Sequence, residues 1–152
     1  MSDFGAELRT FRLQMGLTQA ELARRSGMPA SNLCAYESGR RPMSRAMLAR
    51  LLDQARRQRP SVALASARED VIATITAHGG SEPAVFGSVA RARDTTDSDL
   101  DLLVTMAPES TLVDLIEMEH ALEELLHVKV EVLSRGGLRG PDDPILQDAV
   151  PL

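Results

Sequence analysis

Tryptophan is absent from the 152 residues, tyrosine occurs once and phenylalanine three times, so any core must be built from Leu, Val, Ile, Ala and Met. Cysteine is nearly missing as well. With Cys34 alone, no intramolecular disulfide can form, which suits a reducing compartment; on a helix its expected use is as a small apolar filler. No run approaches the apolar length of a membrane span, and the N-terminal residues lack the apolar core of a signal peptide. A soluble, cytoplasmic protein is expected. No internal repeat is visible.

What is present is unevenly charged. Residues 1 to 60 hold 11 Lys and Arg against 5 Asp and Glu, a balance of +6, whereas residues 61 to 152 hold 6 against 17, a balance of −11. The net charge of −5 therefore conceals a basic first half. A basic module followed by an acidic one implies a polyanionic partner for the first, and metal ligands or a basic protein partner for the second. Two domains are expected, at 1–60 and 61–152. The pattern break at Arg59-Pro60-Ser61 marks the boundary, because proline forces the residue before it into extended geometry.

In the first half, Leu8, Phe11 and Met15 recur at helical spacing and Gly16 stops that helix. Thr18 with Glu21 forms a capping box opening a second helix. Gly27 makes the next turn, and a third helix runs from Pro29 to about Ser38-Gly39. A fourth starts near Ser44 with Met47, Leu48, Leu51 and Leu52 on its apolar side. Four short helices with a tight glycine turn between the second and third predict an all-α helix-turn-helix bundle. Arg50, Arg56, Arg57 and Arg59 read as a solvated helix face, with phosphate contact as the alternative.

The run Gly16-Leu17-Thr18-Gln19-Ala20-Glu21-Leu22-Ala23-Arg24-Arg25-Ser26-Gly27, continued through Ser31-Asn32-Leu33 to Tyr36-Glu37-Ser38-Gly39-Arg40-Arg41-Pro42, resembles the Xre family of phage-repressor-like DNA-binding domains. The resemblance implies that Ala30, Ser31 and Ala35 face the bases, while Gln19, Asn32, Arg40 and Arg41 meet phosphate or flank the groove. Two alanines offer little hydrogen bonding, so thymine-methyl contact and DNA shape would carry much of the specificity. It also implies an Arg12–Glu37 ion pair between the first and third helices, and a homodimer on operator DNA.

Beyond the boundary the pattern predicts a single helix from Val62 to His78, packed through Leu64, Ala67, Val71 and Ile75 and ended by Gly79-Gly80. His78 reads as its cap, and His120 and His127 as helix-surface or cap residues. There follow a strand at Pro83–Phe86, a Gly87-Ser88 turn with a short helix, a strand at Leu100–Thr105, a helix at Leu112–Leu126 and a strand at Val128–Leu133. This is an α/β arrangement, a mixed sheet flanked by helices. Carboxylates two apart on a strand project to one face, so Asp99 and Asp101 can converge on one point while Leu100 and Leu102 enter the core. Magnesium is held by one or two carboxylates together with phosphates and water, which such a pair supplies.

The Gly87-Ser88 pair, Arg91, Asp99, Asp101 and a later carboxylate, Glu131, resemble the nucleotidyltransferase superfamily typified by DNA polymerase beta, and most closely its small stand-alone branch, the minimal nucleotidyltransferases. That branch more often has aspartate at the last place. The resemblance implies Mg2+ on Asp99, Asp101 and Glu131 and an ATP substrate. Gly87, Ser88 and Arg91 would sit at its phosphates, with Arg93 as a further candidate to neutralise them; for both arginines, a salt bridge to the neighbouring aspartates is the alternative. The ending Ile145-Leu146-Gln147-Asp148-Ala149-Val150-Pro151-Leu152 is similar to the same branch, whose members commonly act as antitoxins to a HEPN ribonuclease toxin by transferring AMP to it. The implied function is an autoregulating antitoxin with adenylyltransferase activity. The alternative is a regulator whose second domain only binds a toxin or nucleotide.

Overall fold

The structure, a computed structural model, describes residues 3–152. The chain divides into two compact units, Met1–Arg57 and Gln58–Leu152. No helix among the described residues is long and apolar enough to cross a membrane.

The first unit holds four helices, α1 (Phe4–Gln14), α2 (Gln19–Ser26), α3 (Ala30–Glu37) and α4 (Arg45–Arg56). Three of the four starts carry a side-chain cap. Asp3 accepts the Ala6 N–H ahead of α1, Thr18 and Glu21 form the reciprocal capping box of α2, and Ser44 accepts from Met47 N–H at α4. Gly27 ends α2 in the left-handed region at φ +66, leaving the tight turn before α3. The core is Leu8, Leu22, Leu33 and Leu51, all fully buried. Gly5 lets α1 pass against the end of α3, since a Cβ there would overlap the Tyr36 carbonyl oxygen.

Across this core the Arg12 guanidinium meets Glu37 in two parallel bonds, Nε to Oε1 at 2.6 Å and Nη2 to Oε2 at 2.9 Å. The side chains are 7% and 2% exposed, so this is an interior pair, and a third Arg12 bond goes to the Leu17 carbonyl at 2.6 Å. Burial alone would raise the Glu37 pKa; hydrogen bonds from Arg12 and Gln19 outweigh it and hold the carboxyl below the ordinary glutamate range.

In the second unit the expected single helix over Val62–His78 is two, α5 (Pro60–Ser66) and α6 (Arg68–Ala77). The break falls at Ala67, whose φ −127 and ψ 22 leave the helical region. The bend brings Ala63 and Leu64 of α5 and Val71 and Ile75 of α6 into one core. His78 is the C-cap of α6, its Nδ1 at 2.8 Å from the Thr74 carbonyl oxygen.

The remaining elements are β1 (Gly80–Phe86), α7 (Gly87–Ala90), β2 (Leu100–Met106), α8 (Leu112–Leu126), β3 (Val130–Ser134), α9 (Pro144–Asp148) and β4 (Val150–Pro151). The sheet order is β3-β2-β1-β4, with β1 antiparallel to β2 and β4, and β2 parallel to β3. A mixed sheet with flanking helices is therefore present as expected. Leu100, Leu102, Val104, Met118 and Leu122 are fully buried at its centre. β3 starts two residues later than Val128, because His127 adopts φ 53 to end α8 and the chain must turn before it can pair.

β3 lies at one side of the sheet, and its outward N–H groups are taken by α8. Val130 N–H donates to Glu123 Oε1 at 3.1 Å and Val132 N–H to Glu119 Oε1 at 2.9 Å.

Candidate functional site

The geometry of the site follows from the strand register. Asp101 pairs with Phe86 across the antiparallel ladder and with Glu131 across the parallel one. Gly87 follows Phe86 directly and turns the chain at φ +68. A Cβ at position 87 would overlap Asp101 Oδ2, so glycine is required both by the backbone angle and by the carboxylate. Asp99 stands just ahead of β2 and, like Asp101, is half-buried, whereas Glu131 is exposed. Leu100 and Leu102 point into the core between them.

Asp101 feels the charge of both other carboxylates. Burial pushes the Asp101 pKa up, Glu131 and Asp99 push it further, and Arg91 offsets part of the rise. Hard carboxylate oxygens suit a divalent cation such as magnesium, which takes one or two of them and completes its shell with phosphates and water. Among the described residues no group of three His, Cys, Asp or Glu side chains is gathered closely enough to enclose a metal by itself. The pair Asp99 and Asp101 supplies hard oxygen donors of the kind magnesium takes, and these are the residues that would hold it.

Ser88 is half-buried in α7, a helix of four residues and too short for a macrodipole of consequence. What that turn offers a phosphate is its backbone N–H groups and the hydroxyl. Arg91 bonds back to the Gly87 carbonyl at 3.2 Å and pairs with Asp148 of α9 at 3.4 Å. Arg93 is exposed. Three charged partners near this region escape the sequence reading. Lys129, just ahead of β3, lies 3.7 Å from Asp99 Oδ2; its place in the alternation Val128-Lys129-Val130-Glu131 is the signal that could have revealed it. Asp148 carries no such signal. Asp94 is buried and accepts from Arg59 at 3.0 Å and from the Ser61 N–H at 2.8 Å. Burial raises its pKa, and the bonds from Ser61 and Arg59 outweigh that and lower it. Arg59 is therefore not part of a solvated helix face. It belongs to the second unit as an anchor.

Its companions in the first unit also have partners. Arg50 reaches the Ser26 carbonyl at 3.2 Å, Arg56 lies over the Phe11 ring and Arg57 stands 3.8 Å from Asp53. On α3, Ala30 and Ser31 are exposed, while Asn32 and Ala35 are half-buried. Arg40 and Arg41 are exposed beyond it, Arg40 bonded to Ser38 Oγ at 2.9 Å and Arg41 over the Tyr36 ring at 5.3 Å. Gln19 gives its amide to Glu37 at 2.8 Å, so the buried ion pair fixes this side chain at the start of α2.

Comparison with known proteins agrees with both units. Residues 3–65 match the helix-turn-helix domain family and residues 73–148 the nucleotidyltransferase domain family. A Methanocaldococcus jannaschii protein classed as a protein adenylyltransferase is 31% identical over 83 residues, covering 55% of this chain and 85% of its own length. Protein adenylyltransferase MntA of Thermococcus cleftensis is 33% identical over 91 residues, covering 54% of this chain and 92% of its own. A solved structure described as a minimal nucleotidyltransferase superposes with a TM-score of 0.55 at 41% identity, covering 60% of this chain and 95% of that one.

Proposed function

Because the chain belongs to the nucleotidyltransferase domain family and carries a helix-turn-helix domain ahead of it, we propose that it is a DNA-binding protein adenylyltransferase, transferring AMP from ATP to a partner protein and repressing its own operon. The observation that carries this reading is the Gly87 turn closed onto Asp101, with Glu131 in register on the neighbouring strand. A partner hydroxyl oxygen attacks the α-phosphorus of ATP. A new O–P bond forms there, the bond to the bridging oxygen breaks, and pyrophosphate leaves with that electron pair. Glu131 takes the hydroxyl proton, and the turn at Gly87-Ser88 together with Arg91 holds the departing phosphates. Asp99 and Asp101 would hold magnesium, which supplies charge neutralisation at the transferring phosphoryl group when bound.

The partner is a toxin, in our reading a HEPN ribonuclease encoded beside this chain; the relatives named as protein adenylyltransferases support the transfer step. On DNA, α3 would read the major groove, with the protein acting as a homodimer. The direct test is incubation of the full chain with α-labelled ATP, magnesium and the protein encoded beside it. Label should appear on that protein and be absent with Asp101→Asn. A second reading, a regulator that only binds its partner, is favoured by the exposed Glu131 standing where the family more often has aspartate; absence of magnesium-dependent ATP binding by calorimetry would decide for it.

A further inference from the structure

Lysine occurs once in this chain, at Lys129; the other 16 of the 17 basic residues are arginines. That single ammonium lies 3.7 Å from Asp99 Oδ2. Its place is fixed by the backbone, because the Leu100 N–H, next to Asp99, donates to the Lys129 carbonyl at 2.8 Å where β3 joins β2. The side chain is 74% exposed, so beyond its Cα nothing but the carboxylate holds it and it is free to leave. Among the described residues no other ion pair reaches Asp99, since Arg91 is turned to Asp148.

We propose that Lys129 is an internal counter-ion that competes with divalent metal for Asp99, so that a metal ion is held firmly only in company with a nucleotide's phosphates. The inference rests on the assignment of Asp99 and Asp101 to metal. A bare divalent cation must first displace the ammonium and then remain within a few ångströms of it, and both steps oppose binding. A triphosphate reverses the balance, because it brings negative charge that the cation and the displaced ammonium can both face. Lysine suits this role better than arginine. It is a compact point charge on a flexible stem, whereas a guanidinium would grip the carboxylate with a planar, two-pronged fork and release it less readily.

The test uses the full chain and manganese as the probe, with free Mn2+ read by electron paramagnetic resonance, first without nucleotide and then with a non-hydrolysable ATP analogue. Lys129→Met, which keeps the stem and removes the charge, should bind Mn2+ alone more tightly than wild type, by about 1.5- to fivefold, the range set by an exposed ion pair. Lys129→Arg should bind it no more tightly than wild type. The gain in Mn2+ affinity on adding the analogue should shrink in Lys129→Met, and the difference between variants should fade in high salt. Arg68→Gln, which removes one exposed charge from α6 of the same unit, should leave Mn2+ binding near the wild-type value.

Unchanged or weaker Mn2+ binding by Lys129→Met, with wild-type binding intact and lost in Asp99→Asn, overturns the competition and leaves the metal assignment standing. Loss of affinity confined to the analogue-bound state would make Lys129 a phosphate ligand, and it too overturns the proposal. If wild type binds no Mn2+ with or without the analogue, the metal assignment fails and the competition fails with it.

Discussion

Gly87→Ala tests the site through its backbone. Two costs add at this position. An alanine at φ +68 sits in the left-handed region at about 1 kcal/mol, and its Cβ would overlap Asp101 Oδ2, an overpacking that typically costs about 1 to 3 kcal/mol. The variant should therefore lose about 2 to 4 kcal/mol from the second unit. By calorimetry of the full chain, at about 5 °C per kcal/mol for a unit of this size, its transition should fall by about 10 to 20 °C. Asp101→Ala removes the oxygen responsible for the overlap, and the remaining Asp101 Cβ lies 3.6 Å from the added atom, ordinary contact. In that background Gly87→Ala should cost only the conformational part, about 1 kcal/mol. Equal losses in the two backgrounds would refute the claim that the turn and the carboxylate are built against each other.

Arg12→Ala should cost about 3 to 5 kcal/mol in urea unfolding of the first unit, because it leaves the Glu37 charge buried without its main partner. Since the Glu37 pKa is lowered in the fold, wild-type stability from this group should be complete above the ordinary glutamate range and decline as pH falls through and below it, a decline that Glu37→Gln should flatten. Asp101→Asn removes a carboxylate whose pKa is raised by burial, Glu131 and Asp99. Its melting temperature at neutral pH should not fall, while nucleotidyl transfer should drop on the order of a hundred- to a thousandfold. Arg40→Ala or Arg41→Ala should weaken promoter binding across sequences and reduce the salt slope by about 1, whereas Ser31→Ala should relax preference at one base position, both read by fluorescence anisotropy.

Legibility in the sequence followed the range of the forces involved. The capping box at Thr18 and Glu21, the Gly27 turn and the alternation of Leu100, Asp101 and Leu102 are set by neighbours a few residues away, and all could be read directly. The break at Ala67 could not, because Ala-Ser-Ala contains no residue that forbids a helix; the bend follows from how α5 and α6 share one core. Lys129, Asp148 and Asp94 were missed for a related reason. Each acquires its role from a partner far along the chain, and a single charge with no partner nearby in sequence reads as solvated. Glu131 lay between these cases, visible as a carboxylate on a strand but placed opposite Asp101 only by the parallel register.

The two glutamates of α8 that take the Val130 and Val132 N–H groups have a consequence for association. An uncovered border strand is an open template on which a strand of another molecule can add, and that route leads to swapped dimers and fibres. Here one border is plugged by carboxylates and the other is β4, two residues long and carrying Pro151, which has no N–H to give. Neither border among the described residues is therefore a long run of free backbone groups, and the two sides achieve this differently, one by side chains of a neighbouring helix and the other by a residue with nothing to donate.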